Sequence, residues 1–335
     1  MRRLLALLLP FVVQPLWAPA LHAQPITLSP SFGTELRYAQ YASDRLLGEE
    51  DAVLLRARPG LSLSTANWSF DAISDAAIAL RHTDANAPAA RSARPEAVQL
   101  GEIKLQYTGF ASTEISVGRQ RLGLAGAALT GDRDGEQTFD AARLRWTGVP
   151  GISADIAYAW SSNSLFASDA TPLPVSVPGE NLFAQLSWTG RLGTLSGYAW
   201  QIDQRHAASS SFRLLNQVYG ARFSGSRPLG EDIRLGYSLG YVRQTGSFAN
   251  AIAGVPTYWQ VGSRFDLGDL SATQTSYRRF AANGISTSNG DKLSLSTTAT
   301  RGRLTLGATY NDFRPVDDDR GTTARDLRLS VGLLF

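Results

Sequence analysis

The chain ends on a segment whose period leaves little choice of structure. From Leu327 the apolar residues Leu327, Leu329, Val331, Leu333 and Phe335 alternate with Arg328, Ser330, Gly332 and Leu334. Side chains two apart share one face of a β-strand, whereas a helix would need spacings of three and four. The alternation recurs upstream. Leu304, Leu306, Ala308 and Tyr310 enclose Thr305, Gly307 and Thr309, and Ile233, Leu235, Tyr237, Leu239 and Tyr241 enclose Arg234, Gly236, Ser238 and Gly240. Leu182, Ala184, Leu186 and Trp188 alternate with Phe183, Gln185 and Ser187 in the same way.

Taken along the chain, the period predicts sixteen strands, at 31–43, 51–64, 67–82, 95–108, 112–121, 138–147, 152–162, 180–189, 193–205, 214–225, 231–245, 257–267, 269–280, 290–300, 303–313 and 324–335. A soluble sandwich shows the same local alternation, so the solvent has to be read from the connections. Tight links around Ala66-Asn67, Thr108 to Ala111, Gly148 to Gly151, Thr189 to Leu192, Gly268 and Arg301-Gly302 alternate with long polar ones. Thr83 to Arg94, Asn163 to Gly179 and Arg314 to Thr323 are of the long kind. Short turns on one side and long loops on the other, with strands near ten residues, predict a transmembrane antiparallel up-and-down β-barrel.

The N-terminus agrees. Arg2 and Arg3 precede the apolar run Leu4 to Leu9, and small residues stand at Ala18, Ala20 and Ala23. This is the layout of a secretory signal peptide, expected to span 1–23 and leave a barrel at 24–335. The 32 Lys and Arg residues, less Arg2 and Arg3, give 30 against 29 Asp and Glu, so the barrel is close to neutral and no nucleic-acid partner is expected. The absence of cysteine removes disulfides and thiolate metal sites. Aromatic residues are expected in two girdles, where amphipathic rings meet lipid headgroups. Trp68, Tyr107, Trp146, Trp188, Phe265 and Phe335 would form the lower one. Tyr38, Tyr41, Trp160, Trp200, Tyr241, Trp259 and Tyr310 would stand at mid to upper height.

Sixteen strands enclose a water-filled lumen, and parity assigns its lining. The inward set includes Arg37, Arg56, Arg58, Lys104, Arg143, Arg145, Arg222, Arg234, Arg264 and Arg328, against the fewer acids Asp71, Asp75, Glu102, Asp155 and Asp326. Guanidinium groups bind carboxylates with two parallel bonds, so an excess of them favours anions. The same arginines could instead pair with neighbouring acids and brace the wall.

The link after the fifth strand carries Gly123, Gly126, Gly131 and Gly135. Gly126 and Gly131 have the spacing of a nucleotide-binding loop, but Asp132 and Arg133 follow where Lys and Ser or Thr would meet phosphate. The link is expected to fold into the lumen, with Arg119, Arg121, Arg133, Arg143 and Arg145 around a constriction near Asp132, Asp134, Glu136 and Asp140. Arg119 shares parity with the apolar Ile115 and Val117, which calls for a bulge or a strand leaving the membrane there.

The run Gly118-Arg119-Gln120, followed by Thr138-Phe139-Asp140-Ala141-Ala142-Arg143-Leu144, resembles the alginate export family of outer-membrane barrels. Ala141 departs from the family's Gly. The resemblance implies a channel for a polysaccharide or other anion, and the family's arginine-rich export pore allows eighteen strands where the period counts sixteen. The terminal Phe335 likewise resembles the C-terminal signal of bacterial outer-membrane barrels, which implies the barrel-assembly machinery as a partner.

Catalysis has little to rest on. His82 and His206 are the histidines outside the leader, and no acid is placed to orient either. No enzyme activity, cofactor or metal is expected. The acidic runs Glu49-Glu50-Asp51 and Asp317-Asp318-Asp319 could hold calcium or bridge lipopolysaccharide, although solvated loop charge accounts for them more simply. The expected function is passive passage of anionic or saccharide-type solutes across a Gram-negative outer membrane, with membrane lipid and lipopolysaccharide as surroundings. The alternative is a structural or adhesive barrel with a plugged lumen.

Overall fold

The computed structural model describes residues 25–43, 49–82, 97–122, 137–164, 176–204, 215–228, 233–245, 257–267, 271–281, 290–301, 303–315 and 323–334. The leader, Arg133 and Phe335 lie outside the described residues, as do His206 and Asp317 to Asp319.

Sixteen strands run in chain order: β1 (Thr27–Ser43), β2 (Glu49–Ser64), β3 (Trp68–His82), β4 (Ala97–Phe110), β5 (Thr113–Gln120), β6 (Gln137–Val149), β7 (Ile152–Ser164) and β8 (Ser176–Gly190) form the first half. The second half is β9 (Gly193–Asp203), β10 (Leu215–Pro228), β11 (Ile233–Thr245), β12 (Thr257–Leu267), β13 (Ser271–Ala281), β14 (Gly290–Arg301), β15 (Leu304–Pro315) and β16 (Ala324–Leu334). Every strand pairs antiparallel with its chain neighbours. β1 closes on β16 from Gly33↔Leu334 to Ser43↔Ala324, so the sheet is a closed barrel.

The strand count and order match the period reading. Boundaries moved by at most four residues, the largest shifts being the earlier starts of β1 and β8, where prolines lie inside the strands. Pro30 pairs with Leu61 in β1, and Pro178 pairs with Ser161 where the β7–β8 register shifts. A bulge relaxes the ladder, so a missing N–H is tolerated there.

Alternation separates two faces. Leu55, Leu61, Leu105, Ile156, Leu186 and Leu306 point outward and are 37–59% exposed, while their alternates Arg56, Glu102, Ser187 and Ser196 are buried on the inner side. Large apolar side chains left bare in water would each forgo about 1.5–3 kcal/mol. A lipid surround removes that cost. It also explains closure, since an open edge in hydrocarbon would cost several kcal/mol per unpaired backbone group, roughly.

The lower girdle forms beside the short turns. Trp68 and Tyr107 stack with ring centroids 4.5 Å apart, Tyr107 meets Phe110 at 5.2 Å, and Trp188 is exposed. At the other end Tyr38, Tyr241 and Tyr310 share the outward face by register, and Trp160, bulged between Ala159 and Ser161, is exposed. The side chain of Tyr41 lies outside the described residues, and one expectation fails. Trp200 is 4% exposed on the inner wall, packed edge-on to Phe183 at 5.6 Å and against Tyr198 at 5.7 Å. Its neighbours on β9 explain this, since Leu195 and Ala199 hold the outward parity.

Candidate channel lining

The inner wall is chemically two-sided. One arc, from β2 to β7, carries ion pairs, and another, on β6 and β8 to β11, carries an apolar cluster.

The ionic arc centres on Asp75. In β2 the inward positions alternate as Leu54, Arg56 and Arg58, and the β2–β3 register brings the two arginines beside Asp75. Arg56 Nε donates to Asp75 Oδ1 at 2.9 Å and Arg58 Nε donates to the same oxygen at 2.8 Å. Arg121, just beyond β5, turns back into the lumen. Its Nη2 reaches Asp75 Oδ2 at 3.3 Å and its Nη1 reaches Glu102 Oε1 at 2.7 Å. Three guanidinium groups therefore share two carboxylates, a local excess of one positive charge.

A bulge makes room for this hub. The β3–β4 register shifts between Ile73 and Ser74, which leaves Gly101 as the extra residue of β4. A Cβ on Gly101 would lie 2.4 Å from Asp75 Oδ2, so only glycine lets the carboxylate stand where all three arginines reach it.

Further pairs follow toward the short-turn end. Lys104 Nζ lies 3.6 Å from Asp71 Oδ2. Arg143 Nε donates to Asp155 Oδ1 at 2.8 Å, and Arg145 Nη1 reaches Glu114 Oε2 at 3.4 Å. On the closing side Arg37 pairs with Glu35 at 3.0 Å and Arg328 with Asp326 at 2.9 Å. Arg222 differs, because its register partners are Ser196 and Gly240 rather than acids. Arg234 and Arg264 pair along the backbone with Asp266 and Gly236, and their side chains lie outside the described residues.

Between the hub and the β1–β16 seam lies a cavity of ≈ 400 Å³, reached by Arg56, Arg58, Arg121 and Glu35. On the seam side the small residues Ser31, Gly33, Ser330 and Gly332 leave room for this space, beside Leu333 and Leu334. The seam's part in the site was missed in the sequence. The alternation of Ser31, Gly33 and Glu35 with Phe32, Thr34 and Leu36 carried the signal.

The apolar arc consists of Phe139, Phe183, Tyr198, Trp200, Val218 and Val242, each at most 7% exposed. Leu122 belongs to the same cluster. Arg121 and Leu122, the first residues after β5, enter the lumen, one toward the ionic arc and the other toward the apolar one. The rest of that link, with Arg133, lies outside the described residues.

Two expected lining residues are elsewhere. Arg119 pairs in register with Ile103 and Asp140, and both keep the parity of Val117 and Leu144, which are exposed on the outer face. Arg119 Nε and Nη2 donate to Asp140 Oδ1 and Oδ2 at 2.8 and 3.1 Å. A two-bond pair neutralises both charges, which is why an arginine is tolerated on this face. The strand needs no extra residue for it. The neighbouring Gly118 has φ +121, and a Cβ there would strike Ile103 O. Gln120 then turns inward and donates to Ala141 O at 2.9 Å. The Gly-Arg-Gln motif is thus a clasp between β5 and β6.

No family model matches the chain, and no curated protein matches it. Solved structures do. The chain resembles OpdL of Pseudomonas aeruginosa at 14% identity with a TM-score of 0.56, over 92% of this chain and 98% of that one. The outer membrane protein opdK of the same organism gives 12% identity and 0.57, over 92% and 98%. OprB of Pseudomonas putida gives 10% and 0.61, over 92% and 94%. These neighbours lend no support to the alginate export resemblance. At such identities the likeness is one of architecture, and the chain has the up-and-down barrel fold of outer-membrane porins.

Proposed function

We propose that the chain is a passive channel of the Gram-negative outer membrane for small anionic solutes, carboxylates foremost. The observation that carries this reading is the hub, where Arg56, Arg58 and Arg121 outnumber Asp75 and Glu102 beside a cavity of ≈ 400 Å³. The cavity is at the lower end of the size range for small-molecule sites. A carboxylate entering it exchanges water for guanidinium donors already held in place by Asp75, so little ordering is required on arrival. Pairing elsewhere on the wall braces the barrel, and the selectivity is assigned to the hub and to Arg222. The likeness in fold to opdK, an outer membrane protein, supports the location.

A polyuronate cargo, as the alginate export resemblance implies, is the finer reading. Its weight rests on residues 118–144, of which Arg143 faces the lumen while Arg119 and Asp140 do not. A plugged barrel is the second reading, and the inward Leu122 on the apolar arc is the observation in its favour.

Reversal potential in a planar bilayer under a salt gradient tests the proposal. Anion-selective current is expected, and polyuronate added to one side should block it if the finer reading holds. Cation-selective current would overturn the anion assignment, and a silent bilayer would favour the plugged barrel.

A further inference from the structure

On the outer face of β15 and β16 the apolar stripe ends abruptly in charge. Leu304, Leu306, Ala308 and Tyr310 climb β15 away from the short-turn end, and the next two outward positions are Asp312 and Arg314. Arg325 of β16 stands opposite Asp312. Two arginines and one aspartate thus share the outer face of two adjacent strands, just beyond the tyrosine that closes the apolar belt.

The central part is built. Asp312 is 6% exposed. It accepts from Arg314 Nε at 2.9 Å and lies 3.6 Å from Arg325 Nε. The two guanidinium groups remain 72% and 59% exposed. One buried carboxylate therefore holds two arginines in place while most of their donors face outward. Water would satisfy such donors on a soluble protein. At the edge of a lipid belt the neighbours are headgroups, and amphipathic Tyr310 marks that level.

We propose that this patch binds the phosphate groups of a phosphorylated glycolipid in the outer leaflet. Arg314 and Arg325 are the ligands, and Asp312 positions them. Phosphate matches the guanidinium fork as a carboxylate does, and acyl chains lie along Leu306, Leu329 and Val331 below. At the opposite end of the barrel the outward Arg227 of β10 is set across from Leu235 rather than from an acid. The patch rests on the outer-membrane reading, but its test is independent of conductance.

The experiment is native mass spectrometry of the full-length mature protein in detergent with bis-phosphorylated lipid A. Wild-type protein should retain the lipid through detergent removal, and the Arg314→Gln/Arg325→Gln variant should bind it about tenfold more weakly, the loss expected for charge-assisted bonds. Lipid A stripped of phosphate should bind wild-type protein as weakly as the variant does. Arg227→Gln should change nothing. Heat-modifiable gel mobility and bilayer conductance of each variant report folding and the channel separately. Equal retention with and without phosphate overturns the proposal in favour of acyl-chain adhesion. Binding that EDTA abolishes but the double variant keeps overturns it in favour of a cation bridge to Asp312.

Discussion

Three guanidinium groups converge on Asp75, a residue 4% exposed, and this makes it the most consequential single carboxylate of the lumen. Asp75→Asn would take the carboxylate charge away from three guanidinium groups, among them the buried Arg56. Breaking a buried ion pair by removing one partner costs about 3–5 kcal/mol, so the variant should lose its folded gel band at lower temperature. The protein that does fold should pass anions more selectively, because the lumen has lost a negative charge. Unchanged reversal potential would remove the hub from the ion path. Gly101→Ala should act in the same direction by pushing Asp75 aside, whereas Gly197→Ala, whose Cβ meets nothing within 4 Å, should be silent. Parity alone brought Arg56, Arg58, Lys104, Arg143 and Arg145 to the correct face. It could not show that each arginine's neighbour across the strand is an acid, because register between strands is fixed by turn lengths and bulges that alternation does not reveal.

β5 is the element where sequence and structure part. Its eight residues make it the shortest strand, and it is held on both faces. Arg119 binds Asp140 outside, while Gln120 bonds to Ala141 O inside and accepts from Ser116 Oγ at 2.7 Å. The motif was conspicuous in the sequence but its role was not. A charged side chain on a lipid parity reads as an error until its partner, 21 residues on, is seen opposite it. Arg119→Leu alone should destabilise the barrel by leaving Asp140 unpaired on the outer face. Adding Asp140→Leu should recover much of the loss, since apolar pairs often replace part-buried ion pairs at little cost. Thermal midpoints of the three proteins in detergent check this, and anion selectivity should stay constant throughout. A selectivity change in the double variant would return Arg119 to the lumen.

At the scale of the whole molecule, strand number and direction were legible because each crossing repeats the same period and the links alternate in length. The seam was not, because β1 and β16 lie at opposite ends of the chain and no local pattern says that they meet. Closure makes a prediction that the composition renders clean. With no cysteine in the chain, an introduced pair has no competing thiol. Leu36 faces Val331 on the outer side, and Arg37 faces Ser330 on the inner side. Antiparallel pairs alternate between wide and narrow spacing, with Cα atoms roughly 5.5 and 4.5 Å apart, so one of these two adjacent pairs has the narrow geometry. A disulfide accepts Cα separations of about 4.4–6.8 Å. Oxidation of Leu36→Cys/Val331→Cys or of Arg37→Cys/Ser330→Cys should tie the chain into a loop that keeps its compact gel mobility after boiling, until reductant is added. The outward pair should leave anion current unchanged, because its side chains face lipid. Failure of both pairs to oxidise in protein that is otherwise folded would mean that β1 and β16 do not meet, and a lumen sealed from lipid, on which the hub's selectivity depends, would go with the seam.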